Sequence, residues 1–187
     1  MQRFTCPKCF GQNVDEIIYG SKVAYKCYKC GNLSNRALAM DSRLKLDLGA
    51  NGQLVHSSVS LLVKNAEGKI LLIRRRYYPV TWAIISGHMH IGEAIIEAAK
   101  RELVEETGSM ADNLKFLFKT AADSRCRTGV IKHKLHVFEY NLPKNTEIVP
   151  NSEAQNIAWV SPSNLAAKAY KPMTQNTIAV LKKIGYL

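Results

Sequence analysis

The segment from Gly87 to Ser109, GHMHIGEAIIEAAKRELVEETGS, constrains this chain more tightly than any other. Wound as a helix at about 100° per residue, it puts Glu102, Glu105 and Glu106 within an arc of roughly 100°, next to an apolar arc of Ile95, Ile96, Ala99 and Leu103. One stripe has to pack on a core and its neighbour is anionic. The like-charge pairs Glu102/Glu106 and Glu102/Glu105 each cost about 0.2–0.5 kcal/mol on an exposed helix, so a cation is expected to offset them. Carboxylate oxygens without histidine or cysteine in the stripe suit Mg²⁺ or Mn²⁺. Ala98, one turn before Glu102, leaves room for an ion and for substrate oxygens. Arg101 is within helical reach of Glu97 and Glu105. The spacing predicts a helix over Ile91 to Thr107, stopped by Gly108.

The cysteines fix the N-terminus. Cys6-Pro7-Lys8-Cys9 and Cys27-Tyr28-Lys29-Cys30 are two C-x2-C pairs separated by residues 10–26, the spacing of a zinc ribbon. Each pair sits on a tight turn followed by Gly11 or Gly31, and four thiolates close a tetrahedron around a structural Zn²⁺. The segment from Val14 to Lys26 then folds as a hairpin. About 35 residues bury too little surface to fold alone, so the metal supplies most of the module's folding free energy. A scaffold or interface role ranks first for it; Lys8, Lys22, Lys26 and Lys29 make nucleic-acid binding the lesser alternative. Cys126, between Arg125 and Arg127, is left over as an ordinary thiol.

At 187 residues the chain accommodates one full-sized domain and a small appendage. We expect the ribbon over residues 1–35, a connecting segment over 36–54 that ends in the turn Asp47-Leu48-Gly49-Ala50-Asn51-Gly52, and the main domain over 55–187. Val59 to Val63 and Lys69 to Ile73 read as a hairpin across Asn65 to Gly68. Further strands are expected at Lys115 to Ala121, Lys134 to Tyr140 and Ala158 to Val160, and helices after Pro162 and over Met173 to Ile184. Interleaved strands and helices argue for a mixed α/β sandwich. No apolar signal core or bilayer-spanning run is present, which places the chain in the cytoplasm with no membrane partner. The formal charge of +11, about +9 once four thiolates hold one Zn²⁺, favours anionic partners such as nucleotides, polyphosphates or nucleic acid.

The 87–109 segment resembles the Nudix box, G-x5-E-x7-R-E-U-x-E-E-x-G-U with U a bulky aliphatic residue, at every fixed position but the last, where Ser109 stands. Leu71 to Arg76, Trp82-Ala83-Ile84 and Trp159 to Pro162 are similar to the flanks of that family, so the likeness covers about residues 56–170. It implies an α/β/α sandwich and a hydrolase that cleaves a nucleoside diphosphate linked to another moiety with metal-activated water. Glu102, Glu105 and Glu106 are then the Mg²⁺ or Mn²⁺ ligands, and one of them takes the proton from the water. Arg101 orients Glu102 and Glu105, Glu93 supports the site, and the Gly87 carbonyl reaches a metal. A further ligand from a later loop is expected at Glu153, with Glu139 second. Arg74, Arg75, Arg76, Arg125, Arg127, Lys132 and Lys134 are candidates for the substrate's phosphates. Ser86 and His90 depart from the usual glycine and glutamate of the entry loop.

A ribbon before such a domain is similar to the layout of the NADH pyrophosphatases, but their Ser-Gln-Pro-Trp-Pro-Phe-Pro stretch has no counterpart between Ser109 and Arg127. NADH therefore stands beside ADP-ribose, other nucleoside diphosphate derivatives and nucleoside triphosphates. A homodimer is compatible with the ribbon. The competing class is a regulator that keeps the fold, binds nucleotide or nucleic acid and has lost catalysis; the complete carboxylate set argues against it.

Overall fold

The computed structural model describes the chain except residues 1, 2, 7, 10, 21, 35–37, 41, 42, 77–79, 111, 112 and 125–131. Arg125, Cys126 and Arg127 thus lie outside the described residues.

The N-terminal module is built from β1 (Arg3–Thr5), β2 (Val14–Tyr19), β3 (Lys22–Cys27), β4 (Leu33–Ser34) and β5 (Leu38–Met40). β2 and β3 form the expected hairpin, β4 extends it, and β1 pairs with β5. Its core is minimal: Cys6, Val14 and Cys27 are buried, with Phe4, Cys9 and Tyr25 packed on them. So small an apolar cluster fits a module whose centre is a metal site, and the four-cysteine arrangement fits a small zinc ribbon.

The main domain is a mixed sheet of β6 (Leu46–Leu48), β7 (Leu54–Lys64), β8 (Ile70–Arg75), β9 (Trp82–Ala83), β10 (Ile85–His88), β11 (Lys115–Asp123), β12 (Lys132–Asn141) and β13 (Ala154–Val160), with helices α1 (Ile95–Thr107) and α2 (Gln175–Lys183). Its spine runs β11-β12-β7-β8-β13. β7 pairs in parallel with all of β12 along one edge. Along its other edge it meets β6, β10 and finally β8. The hairpin read at 59–73 is therefore a single pair, Lys64 with Ile70. Beyond it the strands part, because β10 takes the β7 edge and β13 takes β8.

Strand alternation sends side chains to two cores. Val59, Leu61, Val63, Phe138 and Tyr140 pack with Ala98, Ala99 and Leu103 of α1. Leu62, Ile70, Leu72, Leu135 and Val137 pack with Val180 and Leu181 of α2. One helix covers each face, which makes the α/β/α sandwich, and Ile95 and Ile96 border the α1 core as the apolar arc predicts.

Three boundaries differ from expectation. The helix begins at Ile95 rather than Ile91: Gly92 sits at φ 78°, and the Glu93 carboxylate accepts the His90 N–H at 2.9 Å, so 90–93 is a turn. The segment after Pro162 forms two 3-10 turns, Pro162–Asn164 and Lys168–Tyr170, rather than a helix; Leu165 is fully buried and Tyr170 packs partly on the core, too few apolar positions for a helical stripe. Inside the expected connecting segment, β5 pairs within the N-terminal module and β6 joins the main sheet. None of the described helices is long and apolar enough to cross a membrane.

Candidate active site

Arg101 organises the acidic face of α1. Its Nε and Nη2 donate to the two Glu93 oxygens at 2.8 and 3.1 Å. Nη1 donates to Glu102 Oε1 at 2.6 Å and to Glu105 Oε2 at 3.3 Å. Nη2 also donates to the His88 carbonyl at 2.9 Å. One planar guanidinium thus ties the entry loop, the β10 end and two helix carboxylates together, a geometry open to arginine and closed to lysine. Glu97 pairs with Lys100 instead, at 3.2 Å.

Gly87 on β10 faces the same helix. A Cβ built on it would fall 1.8 Å from Glu102 Cδ and 1.9 and 2.0 Å from its two oxygens. The strand backbone can approach this carboxyl group only because residue 87 lacks a side chain. Glu102 is 8 % exposed, and burial raises its pKa against the lowering effect of Arg101. Glu106 is pushed up to about 8, by burial first and then by the charges of Glu102, Glu153 and Glu105, with Arg75 opposing. Glu93 is held below the usual carboxylate range by the Arg101 hydrogen bonds.

The structure thus brings Glu93, Arg101, Glu102, Glu105, Glu106 and Gly87 to one region and sets Glu153 within electrostatic reach of Glu106. The Glu153 carbonyl accepts the Arg76 N–H at 2.8 Å, which fixes the start of β13 beside β8. Glu139 does not join them. Along β12 it shares the α2 side with Leu135 and Val137, opposite α1, and pairs with Lys64 at 2.5 Å. Arg74 is exposed, its guanidinium carbon 6.0 Å from the Trp82 ring centre, whereas Arg76 donates to the Ala154 carbonyl at 3.2 Å. Lys132 lies 3.9 Å from Asp123. Arg75, between Arg74 and Arg76 in sequence, is the arginine that acts on Glu106.

The donor chemistry of this region, carboxylate and carbonyl oxygen with a glycine where a Cβ would intrude, fits a hard divalent cation. Among the described residues, only the cysteines bring three or more ligand atoms within 4.8 Å of one another. The helix carboxylates are spread along their face, with Glu102 and Glu105 drawn to one nitrogen of Arg101.

Sequence reasoning missed a histidine cluster on the α2 face. His56 lies 4.3 Å from His88 and 5.6 Å from His133 between ring centres, and His88 lies 5.6 Å from His133. Burial and then mutual repulsion hold His56 down at about 3, and burial, His133 and Arg101 hold His88 at about 4. His56 and His133 are register partners in the parallel β7–β12 pair; that pairing, which no local pattern reveals, was the missing signal.

In the N-terminal module, Cys6 Sγ lies 3.7 Å from Cys30 Sγ and Cys9 Sγ 3.6 Å from Cys27 Sγ. Tetrahedral Zn–S bonds of about 2.3 Å imply sulfur separations of about 3.8 Å, so the quartet has the dimensions of a thiolate zinc site. Burial opposes ionisation of Cys6, yet the N–H groups of Cys9 and Lys8 take its thiol down to about 7.

The chain is 31% identical over 114 residues to the nucleoside triphosphatase NudI of Salmonella paratyphi B, spanning 57% of this chain and 79% of that protein. Its fold is similar to that of the MutT protein of Methanosarcina mazei (TM-score 0.58, 21% identity, 70% of this chain and 91% of that one). It is also similar to the E. coli dihydroneopterin triphosphate pyrophosphohydrolase (TM-score 0.55, 24% identity, 67% and 92%). The NUDIX domain model matches residues 54–181, most of the chain, and the chain therefore belongs to the Nudix hydrolase family.

Proposed function

We propose that this chain hydrolyses a diphosphate linkage in a nucleoside triphosphate or a nucleoside diphosphate derivative, with Mg²⁺ or Mn²⁺ held by Glu102, Glu105, Glu106, the Gly87 carbonyl and Glu153. The observation that carries this reading is the Arg101 hub, which commits one guanidinium to three glutamates beside a strand glycine. When bound, the divalent ion lowers the pKa of water and offsets the charge on diphosphate oxygens.

The residues divide the remaining work. Arg101 fixes the orientation of Glu102 and Glu105, and Glu93 together with the His88 carbonyl fixes Arg101. Burial raises the pKa of both Glu102 and Glu106, so whichever of the two does not hold the ion is suited to take and release a proton at its carboxylate. Arg74 is open to solvent but lies with Trp82 on the α2 side, so Arg75, which acts on Glu106, is better suited to a substrate phosphate; Arg76, Arg125 and Arg127 complete the candidate set. Nucleoside triphosphates rank first among substrates because the NudI relative is named for them. ADP-ribose follows, and NADH ranks below both because the post-box stretch is absent. The cysteine quartet is proposed to hold a structural Zn²⁺, and its module to act as scaffold or interface.

The test is a panel of nucleoside triphosphates, ADP-ribose and NADH with Mg²⁺, measuring release of phosphate, pyrophosphate and nucleoside monophosphate by wild type and Glu105→Gln. Activity is expected in the wild type and largely lost in the variant. Equal activity of the two sinks the assignment, and salt-sensitive nucleic-acid binding without turnover favours the regulator instead.

A further inference from the structure

The helix that carries the glutamates begins beside a cationic cavity. This cavity, about 390 Å3, is lined by Lys45, Lys134 and His136 together with Leu48, Val55 and Ile95. It lies on the α1 face of the sheet, where β12 runs parallel to β7 with Lys134 opposite Ser57 and His136 opposite Val59. Lys119 faces His136 across the β11–β12 pair.

The charge there points to an anionic ligand. His136 lines the cavity and is 6 % exposed, with its Nδ1 enclosed and without a hydrogen-bond partner. Three lysines act on that imidazole against one carboxylate, Asp47, which accepts the Ser57 hydroxyl at 2.9 Å. The N-terminus of α1 adds to the same field: its cap residue, Ala94, offers no side chain to the first-turn N–H groups, and Ile95 lines the cavity. The chemistry is that of an anion site with an apolar wall and one hydroxyl acceptor. The cavity is half open to solvent, and a bare phosphate would occupy only part of it.

We propose that this cavity binds a ribonucleoside monophosphate, with the phosphate at Lys45, Lys134 and His136, a ribose hydroxyl at Asp47 and the base against Leu48, Val55 and Ile95. The site is separate from the glutamates: Ile95 precedes Glu102 by seven residues, or about 10 Å along the helix. It is nevertheless tied to them. The Lys45 N–H donates to the Met89 carbonyl at 2.8 Å and the Ile91 N–H to the Arg43 carbonyl at 2.7 Å. The same loop supplies the His88 carbonyl and the Glu93 carboxylate that hold Arg101. A nucleotide seated on Lys45 therefore bears on the loop that orders the hub, as an effector would. The binding claim stands independently of the reaction proposed above.

Calorimetric titration of the full chain with AMP in Mg²⁺-free buffer tests it, with Lys45→Ala, Lys134→Ala and Glu106→Gln beside the wild type and folding of each checked by circular dichroism. Saturable one-site binding is expected, weakened about tenfold or more by either lysine variant through loss of a charge-assisted contact and unchanged by Glu106→Gln. Amide NMR shifts on adding AMP should centre on residues 45–49, 95 and 136. No saturation up to about 5 mM, far weaker than a built site delivers, overturns the proposal. So does binding that depends on Glu106 and not on Lys45, and inorganic phosphate binding as tightly as AMP overturns the nucleotide assignment.

Discussion

Gly87 and Glu102 are in mutual contact across the β10–α1 interface, and the strand comes so near the carboxyl group that even a methyl at residue 87 would overlap it. Gly87→Ala is therefore expected to push Glu102 out of place while leaving both cores intact. A displacement of about 1 Å in a catalytic constellation costs on the order of 10²-fold in rate. Steady-state kinetics with Mg²⁺ and a thermal melt check this; an alanine variant with full activity would show that the approach does not matter.

Arg101 spreads over three carboxylates and a carbonyl. Lysine keeps the charge but cannot reproduce a planar fork. Arg101→Lys should lower Mg²⁺ affinity or kcat by about 10- to 100-fold, the usual range for groups that orient metal ligands. Titrating activity against Mg²⁺ concentration separates the two effects.

Glu153 and Glu139, the first and second candidates for a further ligand, make different predictions about metal dependence. Glu153, electrostatically coupled to Glu106, should weaken Mg²⁺-dependent turnover several-fold as Glu153→Gln. Glu139→Gln should leave the Mg²⁺ titration unchanged and cost stability only, through the Lys64 pair on the α2 side. A change in apparent Mg²⁺ affinity for Glu139→Gln would contradict the face assignment.

Without divalent ions, stability should fall as pH rises from about 6.5 to 8.5. Between the ordinary carboxyl value of 4.5 and about 8, folded Glu106 retains a proton that the unfolded chain has lost, so the folded state loses ground as pH increases. Below 6.5 the sign reverses: His56 and His88, held at about 3 and 4, stay neutral in the fold while the unfolded chain takes up protons, so stability falls toward acid. Melting temperatures of wild type and Glu106→Gln across this range check both arms. The variant should lose the alkaline slope and keep the acid one.

Removal of the metal by a strong chelator should unfold the N-terminal module, whose three buried core residues include two of the cysteines. Metal analysis is expected to give one zinc per chain and markedly less for Cys6→Ser. Full zinc content in that variant would contradict the quartet.

What the sequence determined by itself is whatever depends on local spacing. The turn-borne cysteines, the adjoining acidic and apolar stripes of α1, the Gly108 stop at φ 70° and the parity of β12 all follow from short-range geometry, because helical and strand periods are set by the backbone. Tertiary structure decided what depends on which strands meet. The parting of β7 from β8, the nearness of Glu153 to Glu106, the gathering of His56, His88 and His133, and the cavity between Lys45 and His136 all depend on which strands meet, above all on the parallel β7–β12 register and the interposed β10. Those pairings join residues far apart in the chain, and their free energy comes from burying two cores on either side of one sheet, which no local pattern encodes.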